Sequence, residues 1–291
     1  MIIEKLINTL LPVVLIVACG AAYGRWRRPD MRLSNQMNMD IFVPALVFSV
    51  LASKDFDILA YQELALAATA VVLGSGLLLL PIAYLLKLNL KTFLPPMMFN
   101  NTGNMGIPLL VLAFGEQALA AAVLVFVVEM LLHFSIGIYI LDPKTSLLRM
   151  LKMPIVQASL LGILFSIQNW HLPAAVALPI EMLGQISIPL MLFALGVRLL
   201  DIDFSDWKLG AFGAVACPLS GLAVVVLLMP WLTLTSLQMQ VLWVFAALPP
   251  AVLNYMLAEQ YQQEPARVAS LVLLGNLASL VVIPWVLAYQ L

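Results

Sequence analysis

Ten apolar segments leave this chain almost no length outside a lipid bilayer. Their approximate limits are 4–24, 36–53, 62–86, 92–115, 117–141, 154–170, 175–199, 209–232, 238–261 and 266–290, each long enough to span with some tilt. The longest connection, 142–153, leaves no room for a soluble insert. In lipid each backbone N–H and C=O must pair inside the protein, so an all-α polytopic membrane protein is expected. A chain that is 63% hydrophobic and 10% charged agrees with that class and excludes an ordinary soluble fold. It offers no basic patch for nucleic acid.

The fourth segment is unusual at its midpoint, where Asn100 to Pro108 bring three Asn, a Thr, two Gly and a Pro. Pro108 lacks the N–H that helical pairing needs, and Gly103 and Gly106 tolerate positive φ. The pattern predicts a helix that stops near Asn101, crosses in an open conformation and restarts near Gly106. Such backbone is tolerable at membrane depth only where it lines a polar cavity or is buried in protein. The stretch is therefore the candidate binding site.

Charge sets the orientation. With the loops numbered alternately, one side receives Arg25, Arg27, Arg28, Arg32, Lys87, Lys91, Lys144, Arg149, Lys152, Arg198, Lys208 and Arg267, and the other only Lys5 and Lys54. The positive-inside rule then places both termini outside and the 142–153 loop in the cytoplasm. Val17 to Gly20 has the look of a lipoprotein cleavage box, but the apolar run continues to Tyr23, so a retained helix is expected. Cys19 and Cys217 fall inside spans and read as small buried residues.

An internal repeat follows. Ile41, Pro44 and Phe48 recur at identical spacing as Ile186, Pro189 and Phe193, an offset of 145 residues. The broken fourth span has a counterpart in Leu248-Pro249-Pro250-Ala251-Val252-Leu253-Asn254 of the ninth, with Pro108 and Pro250 142 residues apart. Five spans per half is an odd number, so the halves are inserted upside down relative to each other. Ten transmembrane helices as two inverted five-helix repeats, 1–141 and 147–291, with broken, crossing helices four and nine, are the expected architecture.

Each restarted half-helix presents free N–H groups and a positive dipole end, worth about half a charge. Two such ends, at Gly106–Pro108 and Pro250–Val252, suit one carboxylate of a small anion. Asn101, Asn104 and Asn254 add amides that either cap the broken ends or contact substrate. Glu129, at the centre of the fifth span, is a candidate proton carrier, because an intramembrane carboxyl without a partner holds a proton. His133, one turn on, reads as a packing histidine with a relay role as the alternative. Asp40 and Glu181 are lining residues. Asp55/Asp57 and Asp201/Asp203 lie on opposite faces and cannot form one metal site. No nucleophile–base pair, zinc spacing or phosphate loop is present, so neither an enzyme nor a cofactor or metal is expected.

Taken together these residues resemble the auxin efflux carrier family. The resemblance rests on Asn101-Thr102-Gly103-Asn104-Met105-Gly106-Ile107-Pro108-Leu109 with Phe114-Gly115, on Ile188-Pro189 with Leu195-Gly196, and on Ala247 to Asn254 with Ala258 and Tyr261. It runs over about residues 5–290 and implies a fold akin to sodium/proton antiporters and bile-acid transporters. It also implies a secondary transporter of small organic anions, such as malate, malonate or auxin-like acids. A scaffold of spans 1, 2, 6 and 7 that mediates a homodimer, and an elevator motion of the remaining spans, are further implications. By position Asn101, Asn104, Gly106, Pro108, Pro250 and Asn254 fall in the family's crossover site. The short middle loop resembles bacterial members, which implies an inner membrane location. Glu129 departs from the amide more usual there and leaves H⁺ or Na⁺ coupling open. A cation/proton antiporter using Glu129 is the nearest alternative; a non-transporting receptor is a more distant one.

Overall fold

Helix follows helix along the chain, and among the described residues there is no strand. The computed structural model describes the backbone of residues 2–54, 56–145, 147–198, 200 and 206–290, and their side chains except at 2–9, 147 and 149. The readings placed on Asp55, Asp201 and Asp203, and on the side chains of Lys5 and Arg149, lie outside the described residues.

Six helical stretches among the described residues are long and apolar enough to cross a membrane. They are Leu10–Arg27 in α1 (Ile2–Arg27), Ile58–Leu85 with α4 (Gln62–Leu85), and Glu116–Leu141 with α7 (Leu119–Leu132) and α8 (Ile138–Leu141). The others are α10 (Ala174–Arg198), Trp207–Trp231 with α11 (Trp207–Leu228), and Pro265–Gln290, which is α14.

The other four segments expected as spans are short or interrupted. In the second, α2 (Arg32–Met37) passes through a π-helical turn, Asn38–Phe42, into α3 (Val43–Leu51). The fourth divides into α5 (Leu90–Met98) and, after a π-helical turn at Thr102–Gly106, α6 (Ile107–Phe114). The sixth is α9 (Pro154–Ile167), only 14 residues long. The ninth divides into α12 (Ser236–Ala247) and α13 (Val252–Gln260). The Pro44 and Pro189 motifs therefore take different backbones. Pro44 follows the π-helical turn within the continuous helical stretch from Arg32 to Leu51, whereas α10 runs as α-helix through Pro189.

Between helices in lipid, close packing replaces hydrophobic drive, and small residues permit it. The pair α1 and α10 shows this: a methyl on Gly20 would run into the Phe193 carbonyl, and one on Gly196 into the Val17 carbonyl. Elsewhere α11 lies on α14, α3 on α9 and α10, and α4 on α5, α7 and α11. The most deeply buried large side chains include Phe93 and Phe245, on the helices leading into the two interruptions, and Phe99 in the first of them. Cys19 departs from the buried reading. Its side chain is exposed on α1, although the neighbouring Gly20 packs on α10, while Cys217 is buried.

Polar contacts sort the helix ends into two groups. At one end, Lys91 Nζ donates to the Leu141 carbonyl (2.9 Å), Thr92 Oγ1 to Glu264 Oε2 (2.5 Å), and Arg267 pairs with Asp206 (2.8 Å) and Glu264 (2.9 Å). At the other, the Ile58 N–H donates to Ser166 Oγ (3.3 Å), Thr233 Oγ1 to Glu63 Oε2 (2.6 Å), and Gln240 Nε2 to the Gln290 carbonyl (2.8 Å).

Candidate functional site

The two interruptions meet. Asn100 and Pro250 form an isolated antiparallel bridge, with the Asn101 N–H on the Pro249 carbonyl (2.7 Å) and the Ala251 N–H on the Phe99 carbonyl (2.9 Å). Helix leaves these groups unpaired when it breaks, and each break supplies partners for the other. Antiparallel pairing has a geometric consequence. Each restarted helix begins beside the end of the other's incoming helix, so the two amino ends flank the bridge rather than converge on one point.

Four amides complete the crossing. Asn100 Nδ2 donates to the Phe245 carbonyl at the end of α12 (2.9 Å). Asn254 Nδ2 donates to the carbonyls of Phe99 (2.9 Å) and Ala251 (3.0 Å). Asn101 Nδ2 donates to Asn276 Oδ1 (2.9 Å), and Asn276 Nδ2 donates in turn to the carbonyls of Pro250 (3.0 Å) and Val272 (2.7 Å). The side chains of Asn101 and Asn254 are thus turned to capping and cross-bracing. Asn104 is half-buried, and among the described residues its side chain has no hydrogen-bond partner.

The restart differs from the sequence reading in two respects. Only Phe99 to Asn101 is non-helical, and the chain turns helical again at Thr102, so Gly106 and Pro108 lie inside the restarted helix Thr102–Phe114. Nor do Gly103 and Gly106 take positive φ; among the described glycines only Gly115 does (φ 83°), where it ends α6. What position 106 requires is space: a methyl there would lie 2.8 Å from Leu248 Cδ1 of the second break. Pro108 is the second residue of α6, directly after the π-helical turn, and so marks the junction of those two segments rather than the break itself.

Unpaired donors remain at both amino ends. Among the described residues the N–H groups of Gly103 and Asn104 have no acceptor, and neither do those of Val252 and Leu253. Unpaired acceptors lie nearby. Thr102 Oγ1 donates to Glu129 Oε2, and the Asn100 N–H faces the same carboxyl. Glu129 is 3% exposed, and its Oε1 has no partner. His133 stacks on Phe99 (centroids 4.1 Å apart, planes 5° apart) and interacts with Asn254, which makes it a packing residue. Its Nε2 and Asn254 Oδ1 are nevertheless buried without partners.

A cavity of about 1300 Å³ lies between α1, α3 and α10 on one side and α6 and α7 on the other. Pro108, Val111 and Leu112 line it with Leu46, Ile188 and Pro189, and Lys54, Glu116, His171 and Glu181 also border it. Of the six crossover residues singled out from sequence, only Pro108 reaches this cavity; Asn101, Pro250 and Asn254 sit at the bridge. Asp40 is exposed beside the π-helical turn before α3 and does not border the cavity. The sequence reading missed Asn276 and the pairing of Thr102 with Glu129. A lone amide in an otherwise apolar span was the available signal for Asn276.

Residues 143–287 match a family model described as membrane transport protein. Over nearly its whole length the chain is similar to an uncharacterized transporter of Methanocaldococcus jannaschii, 25% identical over 314 residues and covering 99% of each chain.

Proposed function

We propose that the chain is an auxin efflux carrier family member and a secondary carrier of small organic anions, working by alternating access at the crossing of its two broken helices, a reading supported by the membrane transport protein match and the similar transporter. It is a multi-pass membrane transporter rather than an enzyme. The observation that carries the anion reading is the start of helix Thr102–Phe114. Two N–H groups there, on Gly103 and Asn104, and the Asn104 amide have no partner among the described residues, and the helix dipole adds positive potential.

In this reading the ten segments are ten spans in two inverted repeats. Support comes from the bridge between the two interruptions and from the alternate sorting of loop contacts into two ends. The end carrying Lys91, Glu264 and Arg267 faces the cytoplasm of a bacterial inner membrane, with both termini outside. The close α1–α10 pair, with α3 and α9, supplies the scaffold and the dimer contact; the remaining helices move past it as an elevator. The 1300 Å³ cavity between these groups is the access path. Glu129 is the candidate coupling group.

Counterflow in proteoliposomes tests the proposal. Labelled malate, malonate or an indole acid should exchange in a protein-dependent way, and Asn104→Ala should lower exchange at least tenfold. Sodium-driven proton flux indifferent to every anion would favour an antiporter. Binding without counterflow would make the protein a receptor.

A further inference from the structure

We infer that Glu129 and the substrate carboxylate compete for one helix amino end, so that an anion binds only when Glu129 carries a proton, and one proton travels with each anion. The inference rests on the anion-carrier reading and adds the coupling ion and the stoichiometry.

The geometry is as follows. Thr102 is the first residue of the restarted helix, and its hydroxyl donates to Glu129 Oε2. The next two residues, Gly103 and Asn104, hold the unpaired N–H groups proposed to receive the anion. An ionised Glu129 is therefore itself an anion seated at that amino end, and it occupies the positive potential the substrate needs.

Among the described residues no ion pair includes Glu129. The ion pairs among the described residues are Arg32 with Asp30 and Arg267 with Asp206 and Glu264, all at helix ends. The titratable groups facing Glu129 are the Cys217 thiol of α11 and, one turn along, the His133 imidazole. Of the other elements packed on α7, α3, α6, α9 and α12 carry no titratable residue. Helix α4 has Glu63 and Tyr84 at its two ends, and the turn Glu116–Ala118 has Glu116 at the cavity.

A proton from water has one open position, the unpartnered Oε1, while Thr102 continues to donate to Oε2. The step is Glu129 carboxylate plus H⁺ giving the neutral acid; no other bond changes. Two unit charges roughly one helical turn apart, at an effective dielectric of about 20, weaken anion binding on the order of a hundredfold. The neutral acid removes that repulsion. For a monoanion the transported sum is uncharged.

Calorimetric titration of purified protein with malonate, malate and an indole acid, in two buffers of different protonation enthalpy, tests this. The expected result is uptake of one proton per anion bound. Affinity should fall tenfold per pH unit on the alkaline side, with no change when sodium is replaced by choline. Glu129→Gln should bind with the low-pH affinity at every pH and take up no proton. Wild-type binding without proton uptake overturns the inference, whatever the variant does, and so does a requirement for sodium. If none of the anions binds wild type or variant, the carrier reading itself fails and the coupling fails with it.

Discussion

The two breaks perform the same task with different chemistry. The first, Phe99 to Asn101, is followed by a π-helical turn and uses amides; the second, Leu248 to Ala251, uses two prolines. Amides reach outward. Asn100 caps α12 and Asn101 ties to Asn276, while from the second side only Asn254 reaches across, to the Phe99 carbonyl. Prolines interrupt a helix by omission: without an N–H, Pro249 and Pro250 cannot continue α12, and their carbonyls wait for donors from elsewhere. The first break is thus a source of side-chain hydrogen bonds and the second mainly a recipient. That asymmetry also puts Thr102, Glu129 and Asn104 on one side only.

The asymmetry is most exposed at Asn276, which braces both breaks. Asn276→Leu would strand the Asn101 amide and the Pro250 carbonyl in a buried setting. At about 1–3 kcal/mol for each group left unpaired, roughly 2–6 kcal/mol of stability should disappear. A large fall in Tm in detergent, with loss of counterflow, is the expected outcome. An unchanged Tm would mean the two breaks do not depend on this helix.

A matched pair of substitutions sharpens the contrast. Asn100→Ala removes the cap on the Phe245 carbonyl and should destabilise by about 1–3 kcal/mol. Pro250→Ala keeps the carbonyl that Asn276 uses and loses ring contact with Gly275, so about 1 kcal/mol or less is expected. Equal effects in thermal denaturation would show that proline stiffness matters as much as amide reach. A comparable effect is expected for Gly106→Ala, where the added methyl meets the end of the Leu248 side chain: about 1 kcal/mol, with little change in anion affinity.

The same contrast explains what could be read from the sequence. Asn and Pro in the middle of apolar spans are conspicuous, so both breaks were legible, as was Glu129. Position along the chain was less so. Pro108 and Pro250 were matched because both are prolines, yet Pro250 lies in its break and Pro108 lies eight residues after Asn100 of the other. Proline reports a local change in helical pairing, which the junction of a π-helical turn with an α-helix supplies as well as a full interruption. Gly103 and Gly106 misled in a similar way, since glycine serves close approach as readily as positive φ. The Asn276 brace and the Thr102–Glu129 bond were out of reach because they join residues 175 and 27 positions apart, and no local pattern encodes which apolar span faces which.

At the helix ends proposed to face the cytoplasm the broken helices are tied once more. Thr92, on the helix leading into the first break, donates to Glu264, which follows the helix leading out of the second. The Thr92 hydroxyl first, and then the Arg267 charge, hold the Glu264 carboxyl below its ordinary value of 4.5, against the opposing effect of partial burial. A carboxyl that binds its proton less readily when folded stabilises the fold in full above that ordinary value, and the contribution vanishes as pH falls through the lower folded value. Acidification from pH 6 to below 4 should therefore lower Tm more in wild type than in Glu264→Gln, which has no carboxyl to protonate there. The effect should be small, because the group is partly exposed and solvent screens it. A drop of the same size in both proteins would show that the tie contributes nothing to the acid response, and that the crossing bridge alone holds the two broken helices together.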